Sequence, residues 1–269
     1  MLDEARITAS LQHPNIAQVY EVGLSEGQHF IAMEFIEGPT LRTIISNHHR
    51  SGQIVPLPMS LAIAKGLLAA LEHAHALTDG SGRSLQVVHR DVTPANVLLS
   101  LRGEPKLVDF GLVMAANRLF KTDTGLARGT LPYMSPEQST HAPLDARADL
   151  YSAGATLFEL MTGVRPFPNG PTGARPPRAS VMNSALPPAI DEVFERALKG
   201  AFEERFDSAL MMWRALRDAA ADTEEASVAA LGHWAKLNEK PIAAAQAEGE
   251  GEGEGTESIG RGAMPTRSD

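Results

Sequence analysis

Cysteine is absent from the 269 residues of the chain, which excludes disulfides and thiolate metal sites and fits a reducing compartment. Long apolar runs are absent too, since none approaches the roughly 20 residues that a membrane-spanning helix needs. The first ten residues mix charged with apolar side chains and lack the apolar stretch of a signal peptide. We therefore expect a cytoplasmic protein without a membrane span.

An excess of basic residues is also missing, because the formal net charge is −9. Residues 221–269 hold ten acidic and four basic side chains, which leaves a net charge of only −3 on residues 1–220. A nearly neutral body has no basic surface for a phosphate backbone, so we expect no nucleic-acid partner. The Glu-Gly repeat of residues 248–255 cannot form a core and predicts a solvated tail.

The composition, 43% hydrophobic and 21% charged, is typical of a globular protein with one large core or two modest lobes. Apolar periodicity and turn residues divide the chain into a few short strands followed mainly by helices. Strands are predicted at 16–23, 29–37, 87–88, 97–99 and 106–108, and helices at 2–11, 59–77, 150–161, 190–198 and 208–220.

Two short polar motifs near the middle of the chain carry the chemistry. His89-Arg90-Asp91 is followed by Asn96, and Asp109-Phe110-Gly111 comes after a predicted strand. Either motif alone is short enough to be a chance loop sequence, whereas both in this order match the catalytic loop and the metal-binding motif of protein kinases. Phosphoryl transfer needs a positioned acceptor hydroxyl and hard cations beside the phosphates. Asp91 is therefore the candidate base, and Asn96 and Asp109 are the candidate magnesium ligands.

On these motifs the chain resembles bacterial Hanks-type serine/threonine protein kinases over roughly residues 2–220. The resemblance implies an α+β, protein kinase-like fold with a complete helical C-lobe and a truncated N-lobe that contains the αC helix and two strands. It implies an N-lobe remnant at 1–37, a C-lobe at 38–220, and an acidic, partly disordered tail at 221–269. It also implies ATP and Mg²⁺ as cofactors, and phosphorylation of protein Ser/Thr hydroxyls in bacterial signalling.

The same resemblance places further residues around the nucleotide. Glu4 looks like the αC glutamate that pairs with the ATP-anchoring lysine. Met33 resembles the gatekeeper at the back of the adenine pocket. The segment from Glu34 to Ile36 resembles the hinge, whose backbone groups meet the adenine edge, and Leu98 is expected to form the adenine floor.

Beyond the nucleotide site, residues 129–137 resemble the end of the activation segment, with Ser-Pro-Glu in place of Ala-Pro-Glu. Arg205 resembles the arginine that pairs with the glutamate of this motif, Glu137. Asp149 resembles the buried aspartate of the αF helix that fixes the catalytic loop. We expect an activating phosphate on one of two threonines, Thr122 or Thr124.

Two features depart from the family pattern. Thr93 stands where serine/threonine kinases usually carry a lysine that touches the γ-phosphate, which we interpret as a subfamily trait. No glycine-rich loop and no ATP-anchoring lysine precede Glu4 in this sequence. We therefore expect an incomplete gene model, a fragment or a decayed paralogue that transfers phosphate poorly until the upstream segment is restored.

Other functions stay open at the level of sequence. A pseudokinase or scaffold that acts by binding only is favoured by the missing loop and opposed by the intact Asp91, Asn96 and Asp109. A small-molecule phosphotransferase of related fold is disfavoured by the activation segment. The Ala-rich stretch 226–247 is equally consistent with a helix docked on the C-lobe and with a helix that binds a partner.

Overall fold

The computed structural model describes residues 11–25, 28–110, 130–171 and 173–240. Several sequence predictions fall outside these ranges, namely nearly all of the helix at 2–11 with Glu4, the glycine at 111, and the threonines at 122 and 124. In the part of the chain that is described, no helix is both long enough and apolar enough to span a membrane.

Two small antiparallel sheets form the β part of the described chain. Strand β1 (Val19–Ser25) pairs with β2 (Gln28–Met33), and β3 (Val97–Leu99) pairs with β4 (Pro105–Leu107). The segment before β1 joins the sheets, because Ile16 forms a parallel bridge with Leu107. The chain that leaves β2 then returns to β3 through an antiparallel bridge between Thr40 and Leu98. Both polar motifs lie around this junction.

Helices make up most of the remaining described chain. They are α1 (Leu41–Arg50), α2 (Leu57–His75), α3 (Pro136–Ser139), α4 (Arg147–Thr162), α5 (Ala179–Met182), α6 (Ile190–Ala197), α7 (Ala209–Ala219) and α8 (Val228–Leu237). The architecture is α+β with few strands near the start and a helical body after them, as the sequence predicts.

Helix α4 lies at the centre of the helical body. Every residue from Ala148 to Thr162 is buried, so the helix is enclosed on all sides, as expected for a helix that is apolar around its whole circumference. Gly154 allows close packing against α6, because a Cβ there would lie 2.9 Å from the Cβ of Ala197. Gly163 ends the helix in the left-handed conformation, with φ of 76°.

Helices α6 and α7 lie where the sequence patterns predict helices. The apolar stripe of α6 is buried, including Ile190 and Phe194, and the Phe194 ring meets Phe158 of α4 edge-on at 5.2 Å. Ser208 caps α7 by accepting a hydrogen bond from the Met211 amide at 3.2 Å. Both helices predicted from these patterns are confirmed.

The strand predicted at 87–88 is wrong. No partner strand lies beside this stretch in the described chain, although its two valines favour β structure. The amides of the next two residues, His89 and Arg90, donate instead to the carboxylate of Asp149 on α4. The backbone here is fixed by a helix side chain and not by a sheet.

Helix α8 is docked on the body of the fold. Its Trp234 is only 8% exposed and lies 5.5 Å, between ring centroids, from His48 of α1. The buried side chain of Asn47 donates to the Lys240 carbonyl at 3.1 Å, which holds the chain just after the helix. Gly103, in the β3–β4 turn, touches the α8 backbone directly, since a Cβ there would collide with the Val228 carbonyl oxygen.

We expect Gly103→Ala to undock α8 and to lower the melting temperature. The substitution adds both strain from a positive φ of 91° and a collision with backbone that cannot move aside. Gly82→Ala is the matched control, because Gly82 has a similar φ of 83° and open space around its Cβ position. Thermal denaturation of the two variants should show a clearly larger loss for Gly103→Ala, and equal losses would contradict the docking contact.

Candidate active site

The catalytic-loop motif is anchored by a single buried carboxylate. Asp149 of α4 accepts hydrogen bonds from the His89 amide at 2.7 Å and from the Arg90 amide at 2.8 Å. The Nε2 of His75, at the end of α2, donates to the same carboxylate at 2.8 Å. Burial alone would raise the pKa of Asp149, but the hydrogen bond and charge of His75 and the loop amides bring the pKa below its ordinary value. The carboxylate therefore stays ionised and fixes the loop, including Arg90 at a positive φ of 73°.

His89 connects the two polar motifs. Its Nε2 donates to the Val108 carbonyl at 2.8 Å, and its Nδ1 accepts from the Asp91 amide at 3.2 Å. Burial lowers the pKa of His89, so the ring is neutral and these two bonds define its tautomer. The ring also meets Phe110 edge-on at 4.5 Å, and Phe110 is itself buried. The Asp109 motif is thus held against the catalytic loop.

Two hydrogen bonds join Asn96 to Asp91. The Nδ2 of Asn96 donates both to the Asp91 backbone carbonyl at 2.9 Å and to the Asp91 Oδ2 at 2.7 Å. These bonds use the amide nitrogen, and the Oδ1 of Asn96 has no protein partner in the described ranges. The Oδ1 of Asp91 is buried and likewise has no hydrogen-bond partner among the described residues. A buried carboxylate oxygen without a partner is costly, and such atoms are frequent at reactive centres.

Asp109 lies next to Asn96, because the Val108 amide donates to the Asn96 carbonyl at 3.0 Å. Its φ of 63° is positive, which is uncommon outside glycine and asparagine. Its carboxylate has no hydrogen bond or ion pair to the described residues. The Oδ1 of Asn96 and the carboxylate of Asp109 thus provide oxygen donors without protein partners in the described ranges, on two segments that this backbone hydrogen bond joins. They fit Mg²⁺, which is usually bound by one or two protein oxygens plus substrate phosphates and water.

The predicted hinge runs from the end of β2 towards β3. The Glu34 amide donates to the Gln18 carbonyl at 2.7 Å, whereas the Glu34 carbonyl and the Ile36 amide have no protein partner within the described ranges. One acceptor and one donor two residues apart match what the edge of an adenine requires. Met33 ends β2 just before these groups, and Leu98 lies on β3, half-buried. The structure therefore places the described residues that the sequence predicts for a nucleotide site around the junction of the two sheets.

Sequence reasoning missed an ion pair in this region. The Nζ of Lys106, a buried lysine of β4, lies 2.9 Å from the Glu34 carboxylate, which also accepts from the Gln18 amide at 3.1 Å. The pair ties the hinge to the strand that leads into Asp109. A lysine in an otherwise apolar strand was the available signal, since a buried lysine needs a partner.

The end of the activation segment is anchored at two points. The predicted pair is confirmed, because Arg205 binds Glu137 through two hydrogen bonds of 2.6 and 2.7 Å. Gln138, which the sequence did not single out, donates to the Arg90 carbonyl at 2.7 Å. Ser135 and Gln138 also form a capping box that starts α3. The segment is therefore joined directly to the catalytic loop.

We expect Asp91→Asn to raise the melting temperature at neutral and higher pH. Burial raises the pKa of Asp91, and the hydrogen bond from Asn96 offsets this only in part. Because the folded-state pKa lies above the unfolded-state value, the ionised carboxylate costs stability above the folded pKa and nothing below the unfolded pKa. The gain should therefore shrink as the pH falls through the raised pKa.

The exposed Asp222→Asn is the control, and thermal melts across pH 4 to 8 provide the measurement. A loss of stability at pH 8, or a pH-independent difference between Asp91→Asn and the parent, would contradict the conclusion that the ionised Asp91 carboxylate destabilises the fold.

Two small sheets lie beside a helical body, a buried aspartate fixes a loop, and carboxylate and amide oxygens in this region have no partner among the described residues. This combination is typical of the catalytic domain of a protein kinase. The chain belongs to this family, because the family model described as the protein kinase domain matches residues 1–192.

Known relatives agree with this membership. The chain is 38% identical over 223 residues to the serine/threonine-protein kinase PksC of Streptomyces coelicolor, covering 78% of this chain and 39% of the relative. It is 36% identical over 217 residues to the tyrosine-protein kinase MasK of Myxococcus xanthus, covering 77% of this chain and 33% of MasK. The chain thus spans between about a third and two fifths of the length of these two curated relatives.

A solved structure shares the fold. The kinase domain of PknI from Mycobacterium tuberculosis is 30% identical, with a TM-score of 0.66 over 82% of this chain and 77% of the PknI chain. The match extends beyond the residues of the family model, so the helical body as a whole is of the kinase type.

Proposed function

We propose that this chain is the catalytic part of a protein serine/threonine kinase that transfers the γ-phosphate of Mg-ATP to protein hydroxyls. The observation that carries the proposal is the group formed by Asp91, Asn96 and Asp109. Hydrogen bonds join the Asn96 side chain to Asp91, and each of the three side chains keeps oxygen atoms that have no partner among the described residues. Such a group orients a hydroxyl and holds a cation, and phosphoryl transfer depends mainly on these two tasks.

Each residue has a distinct role in this proposal. The Asp91 carboxylate accepts the proton of the acceptor hydroxyl and keeps it in line for attack. The oxygens of Asn96 and Asp109 hold Mg²⁺, which neutralises charge on the phosphates when it is bound. The backbone of Glu34 and Ile36 binds the adenine edge, between Met33 and Leu98. The role of Glu4 rests on the family resemblance.

Serine and threonine are the proposed acceptors. PksC carries a serine/threonine-protein kinase name, MasK a tyrosine-protein kinase name, and the two are similarly identical to this chain. The sequence of residues 129–137 favours the serine/threonine class, as the motif comparison indicates. We place the reaction in the cytoplasm, since a chain without cysteine suits a reducing compartment. We also propose that residues 1–37 and 38–220 are the two lobes of the domain. The tail predicted at 221–269 is not separate from them throughout, because α8 is docked on the helical body.

The test is transfer of labelled γ-phosphate to a generic protein substrate, followed by identification of the phosphorylated amino acid. It is run on this chain and, in parallel, on a chain extended at its N-terminus. We expect phosphoserine and phosphothreonine in the presence of Mg²⁺ and no product when the metal is chelated. Phosphotyrosine as the main product would overturn the acceptor class, and absence of transfer from both chains would favour a binding-only protein.

A further inference from the structure

A groove with both polar and apolar walls runs beside the catalytic loop and is not used by the chemistry described above. Its volume is about 540 Å³, and α1, the catalytic loop, the activation segment and the end of α4 contribute to its walls. The polar and loop residues that define it are Arg42, His49, Pro94, Tyr133, Glu159 and Arg165. A groove of this size accommodates a few side chains of an extended peptide.

The groove lies next to the proposed transfer site. Pro94 follows Asp91 by three positions in the same loop, and its carbonyl accepts a hydrogen bond from the Arg42 amide at 2.8 Å. The side chain of Arg42 is also close enough to influence the catalytic carboxylate. Burial dominates the raised pKa of Asp91, and the positive charge of Arg42 is among the effects that lower it. A peptide whose hydroxyl reaches Asp91 therefore passes Arg42.

Among the described residues of the groove wall, the one acidic side chain is Glu159, and it already has partners within the protein. The Oε1 of Glu159 lies 3.2 Å from the Nε of Arg165, and the Tyr133 hydroxyl donates to the other oxygen of Glu159. The Arg165 guanidinium also lies over the Tyr133 ring, 5.8 Å from its centroid. Glu159 is therefore neutralised inside the protein and is not free to select a basic substrate residue.

Arg42, in contrast, forms no ion pair with an acidic side chain of the described residues. In residues 11–25, 28–110, 130–171 and 173–240, its guanidinium forms neither a hydrogen bond nor an ion pair. Its side chain is exposed at the groove, whereas the charges of Glu159 and Arg165 cancel. The groove therefore presents a net positive charge with five free N–H donors beside the acceptor position.

We propose that this groove selects acidic side chains of the protein substrate, and that Arg42 is the residue that determines this specificity. The inference rests on the proposed function and names its substrate class, which is serine and threonine hydroxyls within acidic segments. A carboxylate that enters the groove gains a charge-assisted, bidentate hydrogen bond from Arg42 without breaking an existing ion pair. A basic side chain meets the Arg42 charge and has to displace Arg165 from Glu159.

The chain itself supplies a suitable probe. Its sequence has four Glu-Gly repeats at 248–255, followed by Thr256, Glu257 and Ser258. A fluorescent peptide with the sequence of residues 246–262 therefore carries two hydroxyls in an acidic segment. Two matched peptides replace the five glutamates by glutamine or by arginine and keep the length and the glycines.

The measurement is fluorescence anisotropy at low salt without ATP, so binding is read independently of phosphate transfer. The host protein is the full chain with its own glutamates at 248–257 changed to glutamine, so that no acidic segment of the chain competes. We expect the glutamate peptide to bind about tenfold more tightly than the glutamine peptide, and the arginine peptide to bind most weakly. Arg42→Gln should remove most of this preference, whereas Arg214→Gln, an exposed arginine of α7, should keep it.

Every other pattern overturns the inference. Equal binding of the glutamate and glutamine peptides, tighter binding of the arginine peptide, absence of binding by all three, or equal effects of Arg42→Gln and Arg214→Gln would each contradict acid selection by this groove. Failure of the kinase assay leaves the binding comparison valid, so the proposed function and the groove are tested separately. Thermal melts of both arginine variants verify that the fold is retained.

Discussion

Phosphate transfer should fall by about 10²- to 10⁴-fold in Asp91→Asn, which is the range of a positioned general base. The amide is nearly the same size and can still accept the hydrogen bond of Asn96, which is 2.7 Å in the parent protein. It cannot take the proton of the acceptor hydroxyl, and it removes the negative charge that orients this hydroxyl. The loss is therefore expected in kcat and not in the affinity for ATP.

The assay uses the chain that gives the higher rate, this chain or its extended form, with labelled ATP and a generic protein substrate. Asp222→Asn is the matched control, because it makes the same chemical change at an exposed position. Nucleotide affinity, measured with an ATP analogue that cannot transfer phosphate, should be nearly unchanged in both variants. Turnover by Asp91→Asn at a rate close to that of the control would remove Asp91 from the reaction.

Arg205→Ala is expected to lower the melting temperature by roughly 6–20 °C, from about 3–5 kcal/mol for breaking a buried ion pair. The guanidinium is fully buried and uses all its donors. Besides the two bonds to Glu137, it donates to the carbonyls of Lys199, Arg147 and Gly200 at 2.8, 3.1 and 3.0 Å. Removing it leaves one carboxylate and three carbonyls without their partner, in addition to a cavity.

A graded series separates the ion pair from the other bonds. Glu137→Gln keeps the three carbonyl bonds of Arg205 but loses the charge of the partner and one of the two hydrogen bonds between the side chains, because the amide nitrogen cannot accept. Its loss of stability should therefore be smaller than that of Arg205→Ala. Arg214→Ala, at an exposed position, should change the melting temperature least. Thermal denaturation that ranks Glu137→Gln or Arg214→Ala below Arg205→Ala in stability would contradict the anchoring role of Arg205.

Helical segments and reactive motifs could be read from the sequence because their signals are local. The buried stripe of α6 repeats at helical spacing, and Ser208 is a capping residue in front of α7. The strand predicted at 87–88 failed for the opposite reason, since valines favour a strand but a strand also needs a partner. The distant Asp149 satisfies the amides that follow and gives this stretch a different structure.

The anchors of the site were only partly accessible from the sequence. Resemblance suggested Asp149 and the pair of Glu137 with Arg205, and the structure shows these contacts. The resemblance gave no indication of the hydrogen bonds made by His75 and Gln138, which join segments far apart in the chain. A side chain that acts through a single long-range hydrogen bond leaves no periodicity or spacing by which it can be recognised.

Short motifs and local apolar patterns were enough to predict the family, the α+β class and the candidate residues for the chemistry, because each of these signals is local in the sequence. Only the folded structure shows which oxygens of Asp91 and Asn96 have no partner among the described residues, and that Lys106 pairs with Glu34 of the predicted hinge. It also shows that Glu159 is paired with Arg165, whereas Arg42 has no ion pair within the described part of the chain. These properties depend on which charges and hydrogen-bonding groups meet in space, and burial and pairing set their energies only after the chain has folded.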